Sequence, residues 1–236
     1  MEHYHIFFDL DRTLWDFEKN SKNALKALYK KHVKPLTKIS FLHFHKEYKK
    51  INAELWADYG KKKITKTDLR INRFTNSLSK IGIENPITAQ VLSEEYIKTS
   101  PFQTILMPQA IETLKTLKQR GYHLHILTNG FKEVQHIKLR ESGLLPYFET
   151  IVCSEESGYS KPDPRVFEFA LQKANAKRQT SLMIGDDYTA DYKGALSYGI
   201  KAIYFNNLGL KRVRKTDNVV NYLGESPKLI DHLFGR

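Results

Sequence analysis

The stretch Ile6-Phe7-Phe8-Asp9-Leu10-Asp11-Arg12-Thr13 begins as three consecutive apolar residues and ends in two carboxylates and a hydroxyl. An apolar run without alternation predicts a strand covered on both faces, which is the condition of a parallel sheet between two helical layers. Four further runs share this character: Leu124-His125-Ile126-Leu127, Ile151-Val152-Cys153, Leu182-Met183-Ile184 and Ala202-Ile203-Tyr204-Phe205. Amphipathic stretches lie between them, and each ends at a glycine suited to a helix terminus. Ile111 to Arg120 stops at Gly121, Val134 to Ser142 at Gly143, and Ala190 to Tyr198 at Gly199.

The first strand and the next are separated by a segment of different character. Apolar residues recur at three- and four-residue spacing in Ala24-Leu25-Leu28, Phe41-Phe44-Tyr48-Ile51-Leu55, Leu69-Phe74-Leu78-Ile81 and Val91-Tyr96. Gly60, Gly82 with Pro86, and Pro101 punctuate the segment. The expected architecture is therefore α/β: a doubly wound parallel sheet with a helical domain of about four helices inserted after the first strand. Residues 1–16 and 101–236 form the expected core, and 17–100 the insert.

The chain has 236 residues and a formal net charge of +12, from 38 Lys and Arg against 26 Asp and Glu. Residues 17–100 alone carry 18 basic and 8 acidic side chains, so +10 of the excess lies on the insert. No apolar run is long enough to span a bilayer, and the first residues lack the pattern of a secretion signal. The single cysteine, Cys153, rules out an intrachain disulfide and a cysteine-based metal cluster. A cytoplasmic protein without a membrane partner is expected. The basic runs Lys61-Lys62-Lys63 and Lys211-Arg212-Val213-Arg214-Lys215 read as solvated surface.

In an open parallel sheet, ligands bind beyond the carboxyl ends of the strands. Asp9 and Asp11 follow the first apolar run, Thr128-Asn129-Gly130 the second, and Gly185-Asp186-Asp187 with Asp191 the fourth. The loop after the third leads to Lys161-Pro162-Asp163-Pro164. Each piece has a plainer reading: Asn129-Gly130 is a turn pair, Asp163-Pro164 a helix start, and Asp191 a residue favoured by its helix dipole. Together they bring several carboxylates, a hydroxyl and a lysine to one edge. Clustered like charges raise one another's pKa, so such a set calls for a bound cation or for protons. Oxygen donors without a His or Cys set favour a hard ion, and Mg2+ is the usual one where phosphate is handled.

These four segments, Asp9-Leu10-Asp11-Arg12-Thr13, Leu127-Thr128-Asn129-Gly130, Ser160-Lys161-Pro162-Asp163-Pro164 and Gly185-Asp186-Asp187 with Asp191, resemble motifs one to four of the haloacid dehalogenase (HAD) superfamily of phosphotransferases. The inserted helical segment is similar to that superfamily's type-one cap. Phe8 to Asp16 and Ser142-Gly143-Leu144 before Tyr147-Phe148 resemble its pyrimidine 5′-nucleotidase branch, which also clears non-standard nucleotides. The resemblance implies that Asp9 is a nucleophile forming an aspartyl-phosphate and that Asp11 is the acid and base. It further implies substrate binding by Leu10, Thr128, Asn129 and Lys161, and a Mg2+ site from Asp9, the backbone carbonyl of Asp11, and Asp186. Asp191 would support Lys161 or a metal-bound water. Arg12 stands where the branch often has an acidic residue. Asp11 separates phosphatases from true dehalogenases, whose leaving halide needs no proton.

The expected activity is Mg2+-dependent hydrolysis of a small phosphorylated metabolite, foremost a nucleoside 5′-monophosphate. A cap containing Trp56, Tyr59 and Phe74 among its basic residues would set specificity and close over the reacting centre. The alternatives are a phosphomutase, a phosphonatase using a cap lysine, and, from another class, a nucleic-acid-binding module acting through the basic cap. No nucleic-acid recognition motif accompanies that charge, so a nucleic-acid partner is the least favoured.

Overall fold

The computed structural model describes residues 3–207, 209 and 218–236. The basic run 211–215 lies outside the described residues. In chain order the elements are β1 (His5–Phe8), α1 (Phe17–Leu28), α2 (Phe41–Gly60), α3 (Lys66–Lys80), α4 (Pro86–Thr99), α5 (Ala110–Gln119) and β2 (His123–Thr128). They continue with α6 (Lys132–Glu141), β3 (Thr150–Cys153), α7 (Ser154–Ser157), α8 (Pro164–Lys173), β4 (Ser181–Gly185), α9 (Gly194–Tyr198), β5 (Lys201–Phe205), β6 (Val219–Val220) and α10 (Ser226–Phe234). The chain divides into two compact units, one of residues 1–17 and 104–236 and the other of residues 18–103.

The first unit is built on a parallel sheet in the order β3-β2-β1-β4-β5-β6. Its strands explain themselves by side-chain alternation. Ile6, Phe8, Leu124, Ile126, Leu182 and Ile184 face one way and pack against Leu114 and Leu117 of α5, Leu139 of α6 and Ile230 of α10. Phe7, Leu127, Val152, Met183 and Ala202 face the other way, against Val166, Phe167 and Ala170 of α8 and Ala195 of α9. Both faces are covered, so both positions of each pleat must be apolar. The strand order reverses between β1 and β4, and this is where an open α/β sheet leaves a crevice at its carboxyl edge.

The anticipated glycines end their helices: Gly121, Gly143 and Gly199 have φ of 80°, 71° and 91°. Two details differ from the sequence expectation. The stretch before Gly199 is a π-helical turn, Tyr188–Lys193, running into the short α9. A sixth strand, β6, pairs with β5 through two residues, too few to form a periodic signal.

The second unit holds α1 to α4. Ser40, Thr65 and Asn85 cap α2, α3 and α4, and Thr65 forms a capping box with Asp68. Each side-chain oxygen accepts from an amide that the first turn leaves without an intrahelical partner. The buried face joins Leu25, Leu28, Phe44, Tyr48, Phe74, Leu78, Leu92 and Tyr96 into one core. Phe74 is wholly buried between Tyr48 and Tyr96, so it is a packing residue of this unit. Trp56 is half-buried and meets Tyr59 edge-on. Lys61, Lys62 and Lys63 are exposed, as a solvated run should be.

Candidate active site

Asp9 leaves β1 with its backbone N–H bonded to the carbonyl of Ile184 at 2.9 Å, which ties it to β4. The chain then coils tightly: Leu14 and Trp15 both donate to the carbonyl of Leu10, and Arg12 takes the left-handed conformation at φ 64°. Leu10 buries its side chain in the core, so its main chain is what it can offer a ligand. Thr13 does more than hold this turn. Its hydroxyl accepts from the N–H of Asp186 at 3.1 Å and donates to the Asp186 carboxylate at 3.3 Å, joining the ends of β1 and β4.

Lys161, just before the Asp163 cap of α8, reaches back under this edge. Its ammonium lies 2.7 Å from Asp9 Oδ1 and 2.6 Å from Asp191 Oδ1, and it donates to the carbonyl of Leu127 at 2.7 Å. The loop carrying it is pinned by Asn129, whose side chain donates to the Lys161 carbonyl at 3.0 Å and accepts from its N–H at 2.9 Å. Asn129 thereby holds the lysine loop. Asp191 can approach because residue 185 is glycine: a Cβ there would fall 2.1 Å from the Asp191 carboxylate. Asp187 caps the following turn, accepting from Thr189 and Ala190.

Asp9, Asp186 and Asp191 bring carboxylate oxygens within 4.8 Å of one another. Burial pushes the Asp9 pKa up to about 7 despite the pull of Lys161, with Asp191 adding repulsion. Burial also pushes Asp186 up to about 8, assisted by Asp9 and Asp191. Asp191 is raised by burial against the opposing effect of Lys161. Burial alone would lower Lys161, yet Asp191 and Asp9 raise it, so it remains a cation. Three clustered carboxylates, of which Asp9 and Asp191 share the Lys161 ammonium, carry more negative charge than one cation offsets unless protons or a further cation are bound, and all their donors are oxygen. That set fits a hard divalent cation such as Mg2+, which Asp9 and Asp186 could hold.

The Asp11 carboxylate turns toward α6. It is paired with Lys138 of that helix at 2.6 Å and accepts from the Gln135 amide at 2.9 Å. Gln135 also donates to the Thr128 hydroxyl at 2.8 Å, which accepts from the Gly130 N–H as well. Both lone pairs of that hydroxyl are thus occupied, leaving its proton to be donated to a ligand oxygen. Neither Gln135 nor Lys138 was read from the sequence. Both lie on the buried face of α6 beside Leu139, a place that a polar side chain on a helix does not announce. Cys153 is buried at the end of β3 with its thiol pushed up to about 12 by burial, so it is no nucleophile.

Residues 5–199, most of the chain, match the family of haloacid dehalogenase-like hydrolases. The chain belongs to this family. It is 34% identical over 203 residues to the pyrimidine 5′-nucleotidase PynA of Streptococcus pneumoniae, covering 85% of this chain and 83% of that protein. It is 31% identical over 202 residues to the pyrimidine 5′-nucleotidase YjjG of Escherichia coli, covering 85% of each. The HAD-hydrolase YfnB of Bacillus subtilis, solved bound to magnesium, superposes with a TM-score of 0.84 at 28% identity over the whole of both chains. This chain is therefore a hydrolase of the HAD-like family with phosphatases among its relatives. Among the described residues, no helix is long and apolar enough to cross a membrane.

Proposed function

We propose that this HAD-like hydrolase cleaves phosphomonoesters by transferring the phosphoryl group first to Asp9 and then to water. The observation that carries this reading is Asp9 itself: a buried carboxylate at the sheet's crevice, with one oxygen held by Lys161 and the other left to attack. Lys161 then faces the charge that develops on the phosphoryl group. At about 4 Å and an effective dielectric near 20, that attraction is worth roughly 4 kcal/mol. Thr128 donates its free proton to a phosphoryl oxygen, and Asp11 gives a proton to the leaving oxygen and later takes one from water. Mg2+ at the carboxylate cluster would neutralise charge on the phosphoryl oxygens.

A nucleoside 5′-monophosphate is the substrate favoured by the two nucleotidase relatives. The helical unit, residues 18–103, is assigned the role of the specificity cap. Its net charge of +10 suits a small phosphate dianion, and the first unit is close to neutral. Release of phosphate from a panel of phosphorylated metabolites including UMP, dUMP and dTMP tests the substrate class; turnover confined to other phosphate esters rejects it. Asp9→Asn should abolish hydrolysis of para-nitrophenyl phosphate while preserving the folded state by circular dichroism. Appreciable turnover in that variant would end the phosphoryl-aspartate reading. Interconversion of hexose 1- and 6-phosphates without phosphate release would instead indicate a mutase, and inactivation by borohydride with a phosphonate aldehyde a phosphonatase.

A further inference from the structure

We propose that Lys138 and Gln135 are positioning residues that aim Asp11 at a basic leaving oxygen and so fit the enzyme to esters of aliphatic alcohols. The inference rests on the phosphoryl-transfer reading above, in which Asp11 is the acid and base. Both residues are polar side chains on the inward face of α6, 4% and 0% exposed. A buried lysine costs several kcal/mol unless it is paired. Lys138 is paired with Asp11 Oδ1, and its ammonium also sits 4.3 Å from the centre of the Trp15 ring. Gln135 has one amide hydrogen for Asp11 Oδ2 and one for Thr128. Toward the ionised Asp11, which can only accept, the reverse orientation would set carbonyl against carboxylate, so in that state the nitrogen faces Asp11. Gly130 supplies the room: a Cβ there would lie 2.0 Å from the Gln135 nitrogen.

This arrangement has a consequence for the reaction. An Asp9 oxygen bonds to phosphorus as the bond from phosphorus to the alcohol oxygen breaks, and the Asp11 proton goes to that departing oxygen. In the second half, Asp11 takes a proton from water as the water oxygen bonds to phosphorus and the bond to Asp9 breaks. The carboxyl group must occupy one position through both changes of charge. Lys138 and Gln135 each use one lone pair of a different Asp11 oxygen, which leaves the second lone pair of each oxygen for the moving proton. Gln135 also fixes the separation between Asp11 and Thr128 with a single side chain. Preorganised support of this kind, carried on a helix, keeps an acid within the narrow geometry that proton transfer demands.

The dependence on Lys138 should follow the basicity of the leaving group. An aliphatic alkoxide needs the proton, whereas para-nitrophenolate departs with little help. The test is single-turnover release of the leaving group from para-nitrophenyl phosphate and from a nucleoside 5′-monophosphate or glycerol phosphate, alongside steady-state kcat and KM. Lys138→Met, which keeps the bulk over Trp15, should slow release of the aliphatic alcohol by at least about tenfold with KM little changed, and barely slow release of nitrophenolate. Lys138→Arg should recover much of the loss. Gln135→Met should show the same bias and serves if Lys138→Met unfolds.

Asp11→Asn separates the two ways of failing. If it shows no leaving-group bias, the acid and base reading itself falls. If it shows the bias and Lys138→Met and Gln135→Met slow both substrates equally or neither, the positioning proposal is overturned. In the expected case, adding Lys138→Met to Asp11→Asn changes little, since both act through one carboxyl group.

Discussion

At the residue scale, the site is a balance of buried charge. Lys161 is the cation on which Asp9 and Asp191 both depend, and all three are nearly inaccessible. Removing one partner of a buried ionic group typically costs 3–5 kcal/mol, because the charges left behind have lost their solvent. Lys161→Met should therefore abolish activity and, in a chain of this size, lower the melting temperature by on the order of 10 °C, measured by thermal denaturation in chelator. An unchanged melting temperature would mean that the carboxylates around it are already neutral. Asp9, Asp11 and Asp186 draw notice in the sequence because they follow strand ends, Thr128 because it closes β2, and Lys161 because it precedes the helix start at Asp163-Pro164. Gln135 and Lys138 do not, since a polar residue on a helix is normally a solvated one. Only the packing of α6 shows that these two face inward.

At the scale of elements, the helices were legible through their ends. Asp163 caps α8 by accepting from the Arg165 N–H at 3.0 Å, with Pro164 in the first turn. Asp163→Ala should cost about 1 kcal/mol in chemical denaturation, the usual worth of such a cap. Because the Asp163 cap lies two residues after Lys161, the same variant should also lower the activity of the folded protein; equal activity in the folded population would separate the cap from the site. The five longer strands announced themselves by being apolar at successive positions. β6 did not, because two residues have no period and its place is set by pairing with β5. The dual use of Asn129 has the same origin: the sequence shows a turn pair, and the approach of another loop decides what its side chain holds.

At the scale of the whole molecule, stability should respond to cation and to pH in separate ways. A site of net negative charge stabilises the fold when it is filled. At 100 times its dissociation constant, Mg2+ should add about 2.7 kcal/mol, seen as a rise in melting temperature that Asp186→Asn removes. The absence of any rise at millimolar Mg2+ would count against the cation site. At the opposite edge of the sheet, His5 and His125 share a hydrogen bond of 3.0 Å in the interior. Burial, with repulsion from His5, pushes His125 down to about 4 from an ordinary value of 6.5. The unfolded chain therefore binds this proton first as pH falls. The stabilisation is complete above about pH 6.5 and is lost between there and about pH 4, on the order of 3 kcal/mol in all. The difference in unfolding free energy between wild type and His125→Phe should follow that curve, and a difference independent of pH would refute it.

The order of strands and helices, the helical character of the inserted segment, the excess charge on it and the row of chemical groups at the strand ends are all local properties, set by periodicity and by residues adjacent in the chain. The sequence by itself determined these. The partnerships were decided by tertiary structure alone: Thr13 with Asp186, Asn129 with the lysine loop, and α6 with Asp11. Each joins residues that the chain separates and the parallel sheet gathers at one edge. Burial there makes every unpaired charge costly, so the pairing of side chains is chosen by three-dimensional proximity, which periodicity does not encode.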